Sequence, residues 1–207
     1  FLKKHIMYKI LTFLLIFLSS INYNWASSNS PEFIIEEAAK ELFENVKENK
    51  EEYKKDITPY YKIVNDVLAP ILDYDSLIKQ ILGKQIYSTT SEKDRKRFTN
   101  ALQAQLIKVY SKTILEYSDA KITILKSSSK PEAKIYVVYT ELYIGKGRPN
   151  FKVNYAMMKN KKDNKWKVVE VIADGIRLVK SLKNSLAPEI KEKGLEAVIR
   201  RLESEVT

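Results

Sequence analysis

The stretch WKVVEVIADGIRLVKSLKNS, residues 166–185, decides how the C-terminal half of the chain folds. Apolar side chains lie on both faces of its first part, WKVVEVIA, which predicts a buried strand. After Asp174-Gly175 the apolar residues recur at helical spacing, at Ile176, Leu178, Val179 and Leu182. The strand is therefore joined directly to a helix that folds back over it, and the space between the two must be filled.

The elements around this stretch predict an α+β fold. Apolar residues at every second position indicate strands at 121–125, 133–144, 150–159 and 165–173, and the short links between them favour an antiparallel meander. Helical spacing precedes the strands, from 31 to 117, and follows them, at 175–186 and 195–205. We therefore expect a single domain in which N-terminal and C-terminal helices pack on a curved, mainly antiparallel four-stranded sheet.

Helix ends are marked by local signals. Ser30-Pro31 combines a capping residue with proline at the first helical position. Ser91 and Asp94 resemble a capping box that opens the longest helix. Gly83 predicts the end of a short helix that begins near Asp75 or Ser76.

Residues 1–28 predict a secretory signal peptide, to be removed. Lysines come first, then an apolar run at 10–18, then the small residues Ala26, Ser27 and Ser28. The run is shorter than the roughly 20 residues of a membrane-spanning helix, although an uncleaved N-terminal anchor is the alternative. We expect residues 29–207 to form a domain that is exported to the periplasm.

The residues that are absent exclude most catalytic chemistry. The chain has no cysteine, and its single histidine, His5, lies in the predicted signal peptide. A Ser-His-Asp triad, a Cys-His pair and an imidazole or thiolate metal site are therefore excluded from the exported domain. Asp73 and Asp75 lie at a predicted helix start, where carboxylates cap backbone amides. The sequence predicts no enzyme, no cofactor and no metal.

Charge and aromatic residues do not indicate a nucleic-acid partner. The formal net charge of +10 includes Lys3, Lys4 and Lys9 of the predicted signal peptide, and the other lysines are scattered rather than clustered. The 13 tyrosines are dispersed over helices and strands, without the paired aromatic motif of an RNA-binding sheet.

The remaining signal is apolar and allows two interpretations. A sheet with apolar residues on both faces, next to amphipathic helices, is suited to an apolar ligand, and each methylene moved from water gains about 0.8 kcal/mol. A two-tailed lipid would need a pocket near the large end of the usual range of about 300–1,000 Å³. The same pattern also fits an exported interaction module with a filled core and no ligand cavity.

Two segments resemble the MlaC family of toluene-tolerance, or ABC-transporter auxiliary, proteins. WKVVEVIADGIRLVKSLKNSLAPEIKEKGLEAVIRRLE (166–203) is similar to the C-terminal signature of the family, and VLAPILDYDSLIKQILGKQIYSTTSEKDRKRF (67–98) is similar to its central block. The resemblance covers about residues 35–203. The departures are Arg177 in place of the family's Ser, Leu182 and Lys183 in place of Tyr and Arg, Leu186 in place of Phe, and Ile86 in place of Trp.

The resemblance implies a soluble periplasmic carrier without enzymatic activity. Such a protein moves phospholipid between an outer-membrane lipoprotein–porin complex and the lipid-transfer subunits of an inner-membrane ABC transporter. It implies that the acyl chains lie between sheet and helices while the head group faces water, where Lys84 or Arg177 is a candidate to contact phosphate. The residues that we predict to contact lipid are Leu68, Ile71, Ile81, Leu106, Tyr110, Ile114, Val137, Tyr139, Val153, Tyr155, Val169, Val171, Ile176 and Val179.

Overall fold

The computed structural model describes residues 29–205, except 117–119, 128, 131, 132, 146 and 148, and describes no side chains for 111–116. The predicted signal peptide, residues 1–28, lies outside the described residues. In chain order the elements are α1 (Pro31–Tyr53), α2 (Thr58–Leu68), α3 (Tyr74–Thr89), α4 (Glu92–Glu116), β1 (Lys121–Leu125), β2 (Tyr136–Tyr143), β3 (Phe151–Lys159), β4 (Trp166–Ala173), β5 (Ile176–Arg177), α5 (Leu178–Lys193) and α6 (Leu195–Ser204).

The strands form one antiparallel sheet in the order β1-β2-β3-β4-β5, which confirms the predicted meander. A short fifth strand, β5, extends the four predicted strands, because the turn at Asp174 and Gly175, both at positive φ, returns the chain alongside β4. A β-bulge interrupts the register of β3 and β4 at Ala156 and Met157.

The predicted signals at two helix starts are confirmed. The Ser30 hydroxyl accepts the N–H of Phe33 at 3.2 Å. Pro31 occupies the first turn of α1, where the missing N–H of proline costs no helical hydrogen bond. The Ser91 hydroxyl accepts the N–H of Asp94 at 3.1 Å and donates to its carboxylate at 2.7 Å, so the first turn of α4 is capped.

Two helix ends differ from the prediction. Gly83 leaves helical geometry with φ +77° and ψ 161°, but the chain turns back into helix and α3 continues to Thr89. Helix α5 begins at Leu178 rather than at 175 and continues past Pro188 to Lys193. Pro188 is exposed, so water can bind the helical carbonyl that its missing N–H leaves without a partner.

Three groups of buried apolar side chains form the interior. The first, which includes Phe98 and Ile199, packs α3, α4, α5 and α6 together. The second surrounds Tyr60 and joins α1 to α2. The third packs Ile35 of α1 against Val138 and neighbouring residues of the sheet. Members of all three groups line one cavity, which lies where the groups meet.

Candidate ligand-binding cavity

A cavity of about 420 Å³ separates strand β4 from helices α2, α3, α4 and α5. It occupies the space between strand β4 and the returning helix α5, the two elements that residues 166–185 contribute. The residues that line it are Val64, Leu68, Leu72, Tyr74, Leu77, Ile78, Ile81, Thr99, Leu102, Gln103, Leu106, Ile107, Tyr110, Val168, Val171, Leu178, Val179, Ser181, Leu182 and Ser185.

The walls consist mainly of aliphatic side chains, and no described lining residue is charged. Three helices contribute one face each, because the lining positions recur every three or four residues: 74–81 on α3, 99–110 on α4 and 178–185 on α5. The described lining contains no carboxylate, amine, guanidinium or imidazole side chain. The cavity is therefore suited to an apolar molecule.

The β-bulge determines which residues of β4 face the cavity. The register pairs Met157 with Val168 and Ala156 with Glu170, so that Val169 has no partner on β3. The extra residue shifts the alternation of side chains by one position. As a result Val168 and Val171 both line the cavity, although a regular strand would place them on opposite faces.

The cavity reaches the surface between α4 and α5. Tyr110 lines the cavity on α4 and is 52% exposed, and Ser181 and Ser185 line it on α5 and are also exposed. Other lining residues, such as Ile78 and Ile81, are buried. Tyr110, Ser181 and Ser185 therefore mark where the cavity lining is exposed at the surface.

A buried carboxylate fixes the start of α5 against β4. Glu170 is 3% exposed, and its Oε1 accepts the main-chain N–H groups of Val171 at 3.0 Å and Val179 at 2.8 Å. Its Oε2 accepts from Nε of Arg177 at 3.2 Å. These contacts satisfy a free N–H in the first turn of α5 and hold Val179 in the cavity wall.

A second, more polar cavity of about 670 Å³ lies between α2 and α4. It shares Gln103 and Ile107 with the apolar cavity, and the Gln103 side chain donates a hydrogen bond to Asn65 between these helices. Two of its lysines have partners, since Lys62 pairs with Asp66 at 2.5 Å and Lys108 donates to the main-chain oxygen of Glu205 at 2.8 Å.

A model of the family described as MlaC protein matches residues 36–204. The chain belongs to the MlaC family. The family resemblance that the sequence analysis finds over about residues 35–203 is thereby confirmed.

Known relatives match most of this MlaC-family chain. The toluene tolerance protein ttg2D of Pseudomonas putida is 25% identical over 183 residues, which cover 87% of this chain and 82% of that protein. The intermembrane phospholipid transport system binding protein MlaC of Haemophilus influenzae is 21% identical over 177 residues, covering 86% of this chain and 82% of the relative.

A solved structure has the same fold. It is that of a phospholipid-binding protein from Ralstonia solanacearum in complex with a phospholipid, with a TM-score of 0.75 and 16% sequence identity. The match covers 84% of this chain and 94% of that chain. The predicted fold class, helices packed on an antiparallel sheet in a single MlaC-like domain, is confirmed.

Six of the predicted lipid-contacting residues come together around the cavity, and their contact with lipid stays a prediction. They are Leu68, Ile81, Leu106, Tyr110, Val171 and Val179. Other lining residues of the same helix faces were not predicted, such as Leu77, Ile78, Leu102, Ile107 and Leu182. Helical spacing from Ile81 and Leu106 is the signal that would have found them.

The cavity wall does not include Ile71, Val137, Tyr139, Val153, Tyr155, Val169 or Ile176. Val153 and Tyr155 pair with Thr140 and Val138 on the sheet face that packs against α1. Val137 and Tyr139 alternate with Val138 and Thr140 along β2 and therefore lie on the opposite face of the sheet. The pair Val137 and Tyr139 and the pair Val153 and Tyr155 thus cannot line one cavity.

The other predicted residues are placed by local geometry. Ile176 is 59% exposed in the short strand β5, and Ile71 packs beside the α1–α2 core. Val169, at the bulge, is buried away from the cavity and its carbonyl accepts from Gln80 at 3.0 Å. Ile114 belongs to α4, but its side chain lies outside the described residues.

The candidate phosphate contacts lie outside the cavity wall. Lys84 is exposed on α3 and does not line the cavity. Arg177 also does not line the cavity and forms an ion pair with Glu170. Arg177 directly precedes the lining residue Leu178 in sequence, but its guanidinium already forms an ion pair with the Glu170 carboxylate. A contact with lipid phosphate at either residue stays a prediction.

The acidic residues considered for catalysis have structural contacts. The Asp73 carboxylate caps α3 by accepting the N–H of Ser76 at 3.0 Å and also accepts the side-chain amide of Asn160 at 3.1 Å. Asp75 accepts the hydroxyl of Tyr87. Within the described residues no group of three or more acidic, histidine or cysteine side chains is suited to a metal ion. The described helices also include none that is long and apolar enough to span a bilayer.

Proposed function

We propose that this chain is a non-enzymatic periplasmic carrier of phospholipid. The observation that carries the proposal is an uncharged apolar cavity, open to the surface at one end, in a chain of the MlaC family. The acyl chains would lie between β4 and the helices, in contact with residues such as Leu106, Val171 and Val179.

The energetics favour an acyl chain as the ligand. Each methylene transferred from water into an apolar site gains about 0.8 kcal/mol, so about ten methylenes of an acyl chain contribute about 8 kcal/mol without any charged contact. The cavity volume of about 420 Å³ lies in the lower half of the usual range for ligand pockets. This volume is smaller than the one predicted from the sequence for a two-tailed lipid. A second tail would therefore fit only if α5 moved away from α4, or it would extend out through the opening.

The route of transport is proposed from the relatives. The Haemophilus influenzae protein is named as the binding protein of an intermembrane phospholipid transport system. We extend this role to the present chain, with residues 1–28 as its export signal and an outer-membrane lipoprotein complex and an inner-membrane ABC transporter as its transient partners. The Ralstonia solanacearum structure, in complex with a phospholipid, supports phospholipid as the cargo class.

The experiment is native mass spectrometry of protein that begins at Asn29, purified from a bacterial periplasm without detergent. The expected result is a stoichiometric adduct of phospholipid mass, which lipid extraction would identify. Protein that is free of lipid, and stays free after incubation with liposomes, would contradict the proposal and support the interaction module with a filled core. The variant Val171→Glu, purified in parallel, serves as a control for binding outside the cavity.

A further inference from the structure

Tyr74 lines the cavity, and its buried hydroxyl lacks a hydrogen-bond partner. Tyr74 is the first residue of α3 and lines the cavity, and its hydroxyl oxygen is closed off from solvent. A buried hydroxyl without a partner lowers stability, because it loses its hydrogen bonds to water and gains none in return. A group retained at this cost in a binding cavity is a candidate ligand contact.

The other polar side chains of the wall have partners or reach water. The Thr99 hydroxyl donates to the carbonyl of Arg95 at 2.7 Å, and Gln103 donates to Asn65. Ser181 and Ser185 are exposed on α5, and Tyr110 is exposed on α4. Among the lining residues that the structure describes, Tyr74 is thus the one whose side-chain hydroxyl is buried without a partner.

The backbone around Tyr74 is firmly held. The N–H of Asp73 donates to the carbonyl of Val168 on β4 at 3.0 Å, and the N–H of Val168 donates to the carbonyl of Ile71 at 2.8 Å. Burial raises the pKa of Tyr74 to about 12, so the hydroxyl keeps its proton at neutral pH and acts as a donor. Tyr74 therefore has a protonated hydroxyl on a firmly held backbone, and it shares the cavity lining with Val168 and Val171.

We infer that the Tyr74 hydroxyl donates a hydrogen bond to an ester carbonyl oxygen of the bound acyl lipid. This inference rests on the proposed function and names the ligand class more narrowly, since it makes the site selective for ester-linked over ether-linked chains. An ether oxygen is a poorer and less accessible acceptor than an ester carbonyl. The side chain has to shift towards the cavity for this contact, and a lipid that fills the cavity supplies the acceptor that drives the shift.

The test compares two lipids that differ at one functional group. Dipalmitoyl phosphatidylethanolamine and its dihexadecyl ether analogue have the same head group and chain length. Each competes with a fluorescent diacyl phospholipid for the protein that begins at Asn29. We expect wild type to prefer the ester lipid about threefold to tenfold, as one neutral hydrogen bond provides, and Tyr74→Phe to lose that preference.

Tyr60→Phe is the matched control. The Tyr60 hydroxyl is also buried without a partner, but Tyr60 packs in the α1–α2 core and is not part of the cavity wall. This variant should keep the ester preference of wild type. Both variants should melt at or above the temperature of the wild-type protein without lipid, because each removes a buried hydroxyl without a partner.

The outcomes separate the inference from the proposed function. Equal affinity of wild type for the two lipids, or an ester preference that survives in Tyr74→Phe, would overturn the inference and leave the carrier function intact. Binding of neither lipid and no displacement of the fluorescent probe would overturn both. Loss of preference in Tyr60→Phe as well would assign the effect to general packing and also reject the inference.

Discussion

The carboxylate of Glu170, buried in β4, accepts the main-chain N–H of Val179 in the first turn of α5 at 2.8 Å. The same oxygen accepts the N–H of Val171, and the other oxygen accepts from Arg177. One side chain thus connects a strand and a helix that both contribute to the cavity wall.

Replacement of Glu170 by alanine should destabilise the protein by about 1–3 kcal/mol, because the N–H of Val179 would be left buried without a partner. Glu170→Gln keeps an oxygen acceptor and should lose less. Urea denaturation followed by circular dichroism measures the difference. Glu36→Ala, an exposed change on α1, is the control and should stay within about 0.5 kcal/mol of wild type. Equal stability of Glu170→Ala and wild type would show that the contact does not hold α5.

A charge in the cavity wall should abolish lipid loading. Val171→Glu places a carboxylate among uncharged apolar side chains, and we expect at least about a tenfold loss of bound phospholipid with helix content unchanged. The measurement is lipid extraction from purified protein. Val109→Glu introduces the same charge at an α4 residue that is 58% exposed and not part of the wall, and should load like wild type. Normal loading of Val171→Glu would mean that lipid binds elsewhere.

A bulky side chain at the opening should block loading without adding charge. Ser185 lies on the exposed, cavity-lining edge of α5, whereas its neighbour Asn184 is exposed but does not line the cavity. We expect Ser185→Trp to slow lipid uptake from liposomes about tenfold and Asn184→Trp to leave it unchanged. Uptake can be followed with a self-quenching fluorescent lipid. Similar rates in the two variants would place the entrance away from α5.

Acid should weaken the attachment of α6 to α5. Arg201 on α6 binds Glu189 on α5 at 2.8 Å, and its guanidinium lowers the pKa of the Glu189 carboxyl. The stabilisation is therefore present above the unfolded-state pKa of about 4.3 and is lost as pH falls through the lower folded-state pKa. Urea midpoints at pH 7 and pH 3 measure it, and Glu189→Gln should lose less stability than wild type over that interval. An equal loss would show that this pair contributes nothing.

Local patterns in the sequence were sufficient for the elements and their order. Ser30-Pro31 and the pair Ser91 and Asp94 marked helix starts because capping depends on residues within a few positions of each other. The strands were predicted within about three residues of their ends because alternation is also local. Helix α5 was misplaced because Ile176 and Arg177 pair with β4, a long-range contact that overrides helical spacing.

The cavity was predicted only in part, for a physical reason. Helix faces that contain Ile81, Leu106 and Val179 follow from spacing, and these residues line the cavity. Spacing could not reveal the bulge beside Val169, because a bulge is a property of two paired strands and not of one. In a strand without a bulge, Val169 and Val171 would share a face. Val169 was therefore predicted to contact lipid, and Val168 was not.

The sequence by itself determined an α+β chain of the MlaC family, with its helix caps and a composition that has no cysteine and a single histidine. The tertiary structure decided that the apolar faces enclose a space instead of meeting, that Glu170 is buried against α5, and that the Tyr74 hydroxyl has no partner. A filled core and a hollow one require the same apolar residues at the same spacing. Only the distances between packed elements, set by contacts far apart in the chain, distinguish the two.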